Sequence, residues 1–384
     1  MGAGPTRATL PVIVASATLT VMAGAILGPV VPGIQDGLGV SESLAGLIIT
    51  THGAFIVLTS PVAGTLIDRY GPRRPYVFGL GVYGLGGGAG LVVDSFYPLL
   101  VSRAVLGVGV AFVYTGVTVL IYDLYAGERM DRALGLRSGA NSAGAAVWPL
   151  VGGALGVVSW QFPFAVYLLA VPLGLVALWA IPETGRGREG GETGAADALA
   201  VLRGKPVLIA VYGLYFGANT LLYAIVVFYP QLLGTVGVDS SFGIGLYLSA
   251  SGLAGGLTGT VYGRFKRRFG ARRLVLAALV LWVVGLGSAV VVASPSAAFV
   301  PVVLFGLGVG FVFPSTFVWV EAMAPEAMQG QLSSYVAMAG YVGQFVSPLL
   351  FGPVVAPFGV RGVFASGAIA AAIGAATLVA VGRR

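Results

Sequence analysis

The sequence predicts an all-α membrane protein in which twelve transmembrane helices form two pseudo-symmetric six-helix bundles. Three observations lead to this prediction: an apolar composition, twelve long apolar stretches and an internal repeat. Of the 384 residues, 57% are hydrophobic and only 9% are charged, whereas a globular protein carries about 25% charged residues to cover its surface. Much of the surface must therefore face lipid.

The composition also excludes several kinds of function. The chain has no cysteine, so it has no disulfide framework, no thiolate nucleophile and no cysteine-based zinc site. Its one histidine, His52, excludes a histidine-rich metal site, and we expect neither a metal nor a cofactor. The formal charge of +7 comes without a basic run interleaved with aromatic residues, so the sequence predicts no nucleic-acid partner.

Each predicted helix is a stretch of about 20 mostly apolar residues, the length needed to cross a bilayer. The first stretch continues past Gly28, Pro29 and Pro32 without a small-residue cleavage site, so we interpret it as a helix and not as a cleaved signal peptide. Charged residues or Gly-, Pro- and Ser-rich joins separate the others. In order, the predicted spans are 8–33, 43–67, 75–93, 97–122, 132–158, 162–181, 206–233, 242–263, 273–293, 297–322, 329–356 and 361–381.

Lysine and arginine residues indicate the orientation, because short cytoplasmic loops retain them. If both termini are cytoplasmic, every basic residue except Arg103 and Arg361 lies on the cytoplasmic side. The outer joins instead carry Asp36, Glu42 and Asp94. We therefore predict a multi-pass protein of the cell membrane with both termini in the cytoplasm.

One extended polar stretch divides the chain into halves, and the halves repeat one another. GTLIDRYGPRR at 64–74 closes the second span, and GTVYGRFKRRFGARR at 259–273 closes the eighth. Parallel six-helix halves with substrate bound between them are one recognised transporter architecture. The predicted domains are an N-terminal bundle, a cytoplasmic linker and a C-terminal bundle, at 1–182, 183–205 and 206–384.

The loop after the second span combines a carboxylate, a glycine turn and several guanidiniums. Its motif residues are Gly64, Leu66, Asp68, Arg69, Gly71, Arg73 and Arg74. Such groups can form a charge-assisted latch between helix ends; alternatively, the arginines obey only the positive-inside rule, although that rule requires neither Asp68 nor the glycines. The pattern resembles the cytoplasmic loop signature of the major facilitator superfamily, and the resemblance covers essentially the whole chain. It implies that family's fold and a secondary transporter that works by alternating access.

Two further motifs resemble the same family. In the fourth span, Arg103, Gly107 and Gly109 are similar to the family's fourth-helix arginine motif, which implies a role for Arg103 in proton transfer or substrate contact. Alternatively, Arg103 is hydrogen-bonded to broken backbone near Pro29, or its side chain reaches outward to the membrane surface. The fifth span resembles the antiporter motif of the drug and proton exchange branch through Gly135, Gly144, Pro149, Gly152 and Gly153, with Trp148 in place of the glycine before the proline.

The antiporter-like motif has a simpler interpretation, and so do the acidic residues near the cytoplasmic ends of the spans. Small residues at this spacing allow close helix packing without any antiport. Asp123 and Glu321 end the fourth and tenth spans, and the resemblance implies that they form gate ion pairs. Their expected partners are Arg73, Arg74 and Arg137; alternatively, each is a solvated charge at a helix end.

Helical spacing and the resemblance together nominate the substrate cavity, since the family's first, fourth, seventh and tenth helices line it. An aromatic wall with scattered hydrogen-bonding groups suits lipophilic or amphipathic molecules better than sugars. A single tyrosine can instead be a lipid-interface anchor. The candidate cavity residues are Tyr114, Thr118, Asn141, Trp148, Tyr215, Asn219, Tyr223, Ser315, Trp319 and Gln344.

His52 is the candidate proton carrier. No Asp or Glu falls in the middle third of any predicted span. His52 lies about 16 Å into a core of about 30 Å, and imidazole titrates near neutral pH. The alternative is a neutral histidine that is hydrogen-bonded to a neighbouring helix.

Together these features predict a monomeric, proton-coupled exporter of small lipophilic or amphipathic compounds. Its expected partners are a small-molecule substrate, protons and the lipid bilayer. One alternative is an importer or facilitator of a small organic anion held by Arg103, and another is a non-transporting receptor. We do not expect an enzyme, because an intramembrane hydrolase needs paired aspartates or a serine with a base, and only His52 could serve as that base.

The orientation can be tested by cysteine labelling, because the chain has no cysteine of its own. We expect Gly190→Cys, in the cytoplasmic linker, to be protected from an impermeant thiol reagent in right-side-out vesicles and to react after permeabilisation. Gly237→Cys, in a predicted outer join, should react in both conditions. Labelling of residue 190 in intact vesicles would reverse the predicted orientation.

Overall fold

The regular secondary structure of the described part of the chain is helical, and this part contains no strand. The computed structural model describes residues 5–183, 201–325 and 328–381. Most of the predicted cytoplasmic linker, residues 184–200, lies outside this part. The α-helices are α1 (Thr9–Ala25), α2 (Val31–Leu38), α3 (Glu42–Tyr70), α4 (Arg73–Gly88), α5 (Phe96–Leu124), α6 (Glu128–Gly156), α7 (Ala170–Ala180), α8 (Pro206–Gly234), α9 (Ser241–Phe269), α10 (Ala271–Val290), α11 (Phe299–Met323) and α12 (Gln329–Val381).

Short 3-10 turns complete three of the membrane crossings. Gly28–Val30 joins α1 to α2, Ala89–Leu91 follows α4, and Phe162–Leu169 leads into α7. The first of these turns contains Pro29, which lacks a backbone N–H and cannot continue an α-helical hydrogen-bond ladder. The first predicted span is therefore a helix that is interrupted in its outer third.

The twelve predicted spans correspond to helices of the structure. Eight helical segments among the described residues are long and apolar enough to cross a membrane. The others are α4, which has 16 residues, and α6 and α9, which carry clusters of charged residues at one end. The last helix, α12, contains two predicted spans, and its backbone leaves the helical conformation between them at Gly359 (φ 65°, ψ 179°).

The helices divide into two compact units. The first unit comprises residues 1–190 with 240–245, and the second comprises 191–239 with 246–384. In the first unit, α3 and α4 pack against α5, α1 packs against α6, and α7 packs against α4. In the second, α8 packs against α12, and α10 packs against α11 and α12. The domain boundaries drawn from the sequence stay predictions.

The internal repeat is visible in the backbone. Gly71 follows α3 with φ 80° and ψ 158°, and Gly270 precedes α10 with φ 78° and ψ 152°. These two glycines close the two repeated sequence segments, so both halves make the same turn at the same place. L-residues with a side chain rarely adopt this backbone conformation, which explains the glycine at both positions.

We expect Gly71→Ala and Gly270→Ala each to lower the free energy of unfolding by about 1–3 kcal/mol, the usual cost of forcing a side chain into a glycine conformation. SDS titration or thermal unfolding of the purified protein measures this loss. Gly81→Ala is the matched control, because Gly81 lies inside α4 and no atom would crowd its new methyl group. Equal stability of the Gly71 and Gly81 variants would contradict this account of the turn.

Candidate functional site

A buried arginine lies at the centre of the first unit. Arg103 of α5 is 0% exposed, and its side chain joins two other helices. Nε donates to the Ile48 carbonyl oxygen of α3 at 3.1 Å, and Nη2 donates to the Ala23 carbonyl oxygen of α1 at 2.5 Å. Nη2 also lies 3.0 Å from the Tyr167 hydroxyl, which itself donates to Ala23 at 2.9 Å. The side chain therefore does not reach outward.

The break in the first helix explains these contacts. α1 ends at Ala25, and the last carbonyls of a helix have no intrahelical donor. Arg103 and Tyr167 supply donors to Ala23, as expected from the interpretation of Arg103 as an arginine bound to broken backbone near Pro29. Aromatic rings cover the guanidinium, whose carbon lies 4.8 Å from the Tyr167 ring centre and 5.8 Å from that of Phe164. Nη1 has no hydrogen-bond partner among the described residues.

His52 lies beside this arginine on α3. It is 1% exposed, and its Nδ1 is 2.6 Å from the Ile49 carbonyl oxygen. Because a carbonyl oxygen only accepts, Nδ1 carries the hydrogen and Nε2 keeps its lone pair. The hydrogen bond is within α3 and not to a neighbouring helix, which differs from the second interpretation of His52. A Cβ on Gly107 would overlap the His52 carbonyl oxygen, so Gly107 allows α3 and α5 to cross closely there.

Two buried tyrosines of the first unit were not predicted from the sequence as site residues. Tyr167 and Tyr83 are fully buried, and the Tyr83 hydroxyl donates to the Leu19 carbonyl oxygen of α1 at 2.6 Å. Their rings are tilted against each other with centres 5.8 Å apart. A tyrosine in the middle of an apolar span needs a polar partner for its hydroxyl, and this requirement is the signal that could have identified both residues.

The antiporter-like motif forms a packing seam between α6 and α1. A Cβ on Gly152 would overlap the Ile26 carbonyl oxygen, just beyond the end of α1. Trp148 Nε1 donates to the Thr18 carbonyl oxygen of α1 at 3.0 Å and lies close to Gly144. Trp148 therefore uses its N–H within this seam. Pro149 is buried inside α6, Gly153 packs against the backbone of Ser241, and the space beside Gly135 is open.

The predicted latch loop places two of its arginines against a carboxylate. Arg73 Nη1 and Arg74 Nε lie 3.8 Å and 3.5 Å from Glu183 Oε1, shortly after the end of α7. Asp68 is exposed and forms no ion pair with the described residues, and Arg69 stacks on Tyr70 at 5.3 Å. In the second unit, Arg272 Nη2 instead donates to a backbone acceptor, the Leu378 carbonyl oxygen near the end of α12, at 2.8 Å.

The other predicted gate residues lie in different surroundings. Arg137 is not paired with a described carboxylate: its guanidinium carbon lies 5.1 Å from the ring centre of Tyr114. Asp123 is half-buried near the end of α5, and Glu321 is exposed near the end of α11. Of the gate arginines, Arg73 and Arg74 thus meet Glu183, and Arg137 meets an aromatic ring.

The structure brings three of the predicted cavity residues together in the second unit. Gln344 Nε2 donates to Asn219 Oδ1 at 3.1 Å, and Asn219 Nδ2 donates to the Tyr215 carbonyl oxygen at 2.9 Å. The Tyr215 ring packs against Phe313 and Phe317, with centres 5.0 Å and 5.6 Å apart. α8, α11 and α12 therefore build an aromatic cluster with an amide pair. Gln344 Oε1 of this pair has no hydrogen-bond partner among the residues that the structure describes.

The remaining cavity candidates are more dispersed. Ser315 is fully buried and donates to the Tyr262 hydroxyl at 3.1 Å. Trp319 packs on the apolar cluster around Leu208 and Val320, and Tyr223 is buried in α8. In the first unit, Thr118 donates to the Tyr114 carbonyl oxygen of its own helix at 2.9 Å, and no described residue forms a hydrogen bond with Asn141 Oδ1. Within the described ranges, no group of three or more acidic or histidine side chains is placed to hold a metal ion.

The family model described as Major Facilitator Superfamily matches residues 13–240 and 211–384. The chain belongs to the Major Facilitator Superfamily. The protein is therefore a multi-pass membrane transporter of a small molecule, and it is not an enzyme. Its twelve membrane-spanning segments form the two six-helix bundles of this superfamily.

Among curated proteins, the chain is similar to Multidrug resistance protein 1 of Bacillus subtilis, with 27% identity over 283 residues and 71% of each chain. It is also similar to the Bacillibactin exporter of the same bacterium, with 29% identity over 37% of each chain. Quinolone resistance protein NorA of Staphylococcus aureus is 30% identical over 39% of this chain and 38% of its own. These last two alignments span little more than a third of the relatives' length.

Solved structures of transporters share the fold at low sequence identity. The nucleoside transporter NupG matches 97% of this chain and 99% of its own, with a TM-score of 0.81 and 14% identity. A peptide transporter of the POT family matches 99% of this chain and 96% of its own, with a TM-score of 0.80 and 16% identity. At this identity the likeness establishes the fold alone.

We expect Arg103→Lys to lower the free energy of unfolding by about 2 kcal/mol, because one ammonium cannot replace the guanidinium that joins Ile48 to Ala23. Tyr167→Phe should cost about 1 kcal/mol. The double variant should lose less than the sum, since both side chains donate to Ala23. SDS titration measures all three, and Tyr97→Phe, at an exposed tyrosine, is the control. Strict additivity would contradict the shared role of the two side chains.

Proposed function

We propose that this protein is a monomeric, proton-coupled exporter of small lipophilic or amphipathic compounds in the plasma membrane, with both termini in the cytoplasm. The similarity to Multidrug resistance protein 1 carries this proposal, because the alignment covers 71% of both chains and the name of that relative indicates drug resistance. NorA and the Bacillibactin exporter, two partial matches, are also named for resistance or export.

Proton coupling needs a side chain that binds and releases a proton inside the membrane. No Asp or Glu among the described residues is buried, whereas His52 is. Its Nδ1 hydrogen is engaged by Ile49, so Nε2 is the atom at which a proton would bind. Arg103 is anchored on Ile48, one helical turn before His52, so a movement of α5 relative to α3 would change the electrostatic environment of the imidazole.

The aromatic groups of both units support a lipophilic or amphipathic substrate. Tyr215 packs with two phenylalanines beside the Asn219–Gln344 amide pair. In the first unit, Trp148 and Tyr114 lie on helices that also carry Asn141 and Thr118. Rings of this kind contact apolar bodies, and the scattered amides and hydroxyls fix orientation. A sugar would require a denser set of hydrogen-bonding groups.

The geometry does not favour an importer that holds an organic anion on Arg103. That side chain is fully enclosed, and its Nε and Nη2 donate to backbone carbonyls and to Tyr167. An anion at this position would have to displace these bonds. A receptor function has no support among the relatives, which include multidrug resistance proteins and exporters.

We assign the latch role to the loop that follows α3. Arg73 and Arg74 bind Glu183 and so connect the start of α4 to the segment after α7. Such an exposed pair contributes little to stability, about 1 kcal/mol or less. A contact of this strength can shift an equilibrium between two access states without locking the transporter in either one.

We expect His52→Gln to abolish pH-gradient-driven accumulation, because glutamine cannot carry a proton, and to leave downhill exchange measurable. Everted vesicles or proteoliposomes, with and without an imposed pH gradient, separate these two activities. Arg103→Lys should impair both. Thr51→Ser, a conservative change at the preceding residue of α3, is the control and should behave as the wild type.

Two outcomes would contradict the role of His52 in different ways. Normal accumulation by the His52→Gln variant would transfer proton coupling to Asp68, Asp123 or Glu321 near the cytoplasmic helix ends. Transport by the wild type that does not respond to a pH gradient would remove proton coupling and favour a facilitator.

A further inference from the structure

A second arginine lies inside the first unit, and the backbone does not bind it. Arg137 forms no hydrogen bond or ion pair with the described residues, and its guanidinium carbon stacks 5.1 Å from the ring centre of Tyr114. Stacking on a ring face holds a guanidinium in place without using its N–H donors. The planar fork of Arg137 therefore keeps its hydrogen-bonding capacity, whereas Arg103 uses most of its own.

Arg137 lies within the predicted fifth span (132–158), towards its cytoplasmic end. It is nine residues after Glu128, where α6 begins, a distance of about 13 Å along the helix axis. Tyr114 is ten residues before the end of α5 at Leu124, which is about 15 Å. The two depths agree. A charge at such a depth costs free energy, and such charges mark substrate or ion pathways by default.

Other recognition groups share this face of α6. Asn141 is one turn beyond Arg137, and its buried Oδ1 has no hydrogen-bond partner in the described part of the chain. Trp148 is three turns beyond Arg137 and half-buried, with its N–H engaged by Thr18. At 100° per residue the three side chains project from one side of the helix. This side presents in turn a cation, an amide oxygen and an indole ring.

A cationic substrate does not suit this face. No Asp or Glu in the described chain is buried as a whole residue, and the half-buried Asp123 lies nine residues beyond Tyr114, near the end of α5. An ammonium group at Arg137 would therefore meet a like charge. A carboxylate, by contrast, matches the guanidinium fork with two parallel hydrogen bonds. Binding such a group would also pair a charge that the described residues leave unpaired.

We propose that Arg137 binds the anionic group of the transported compound, which is an amphipathic aromatic carboxylate or zwitterion. Its apolar body then contacts Tyr114 and Trp148, and a donor group reaches Asn141 Oδ1. This assignment rests on the proposed export function, because it names the chemical class of the exported compound.

The test compares three probes that share one naphthyl ring and differ in a single group: naphthoxyacetate, its neutral amide and the corresponding primary amine. Quenching of tryptophan fluorescence measures their binding to the purified full-length chain. We expect the carboxylate to bind about tenfold more tightly than the amide, as a charge-assisted bond predicts, and the amine to bind most weakly. In Arg137→Gln the carboxylate should lose this advantage, while the affinity for the amide stays the same.

Arg132→Gln is the matched control, because Arg132 is exposed near the start of α6 and should not affect the order of the probes. Arg137→Lys keeps the positive charge but not the planar guanidinium, so the ratio of carboxylate to amide affinity should fall about threefold. This variant also tests the proposal if the glutamine variant does not fold. A wild type that prefers the amine or amide, or an Arg137→Lys or Arg137→Gln variant with an undiminished carboxylate advantage, would overturn the proposal.

Lipid is the competing source of the anionic group. Binding is therefore repeated in nanodiscs of zwitterionic lipid and of lipid with an anionic fraction. Displacement of the carboxylate by anionic lipid in the wild type and in Arg132→Gln, but not in Arg137→Gln, would assign Arg137 to lipid headgroups and overturn the substrate assignment. Equal affinities in both bilayers would support it.

Transport assays separate this proposal from the export function itself. Export of the amide but not of the carboxylate under a pH gradient would leave the exporter intact and contradict the role of Arg137. Binding of the carboxylate that depends on Arg137, without any pH-driven movement, would support the assignment and contradict proton-coupled export.

Discussion

The interruption of the first helix at Ala25 is the constraint on which the core of the first unit depends. In lipid, a backbone carbonyl that loses its helical donor needs another one within the protein. Ala23 obtains two, from Arg103 and Tyr167. To reach it, Arg103 must cross from α5 towards α1 while its Nε binds α3. One broken helix thus determines where the buried charge lies and which helices it joins.

Glycines make these contacts possible by allowing close approach. Gly107 permits α5 to cross α3 against the His52 carbonyl, and Gly152 permits α6 to approach the end of α1 at Ile26. A methyl group at either position would overlap a backbone oxygen. One packed arrangement around α1 therefore contains the proposed proton carrier, the buried arginine and the antiporter-like motif. A change in one helix crossing would alter the packing at the other crossings.

The second unit has similar close helix crossings at glycines, but its described residues include no buried histidine or arginine. Gly306 packs against the Ser251 carbonyl as Gly107 packs against that of His52, and Gly308 packs against the Trp282 side chain where Gly109 packs against the Tyr83 backbone. The residue of the second half that corresponds to Arg103 at this spacing is Val302. The repeat thus preserves the glycine crossings, and the buried histidine and arginine occur in the first unit.

The sequence by itself determined the fold class and the two glycine turns that follow the second and eighth spans. The number of apolar stretches can be predicted because each stretch must be long enough to cross a bilayer. The repeated turns can be predicted because glycine has more conformational freedom than other residues. Both signals lie in the local sequence. The two turns at Gly71 and Gly270 show this directly, because their backbone angles agree within a few degrees. The motifs that resemble the family are also short, continuous segments of the sequence.

Only the tertiary structure decided which partner each polar side chain has. Arg73 and Arg74 meet Glu183, and Arg137 meets Tyr114, although sequence offered Asp123 and Glu321 as partners for all three. The partners of Tyr83 and Tyr167 also depend on the tertiary structure, because their hydroxyls donate to carbonyls of a helix more than 60 residues away in the sequence. Helical periodicity fixes the direction of a side chain on its own helix, but the rotation and crossing of neighbouring helices depend on packing over the whole bundle.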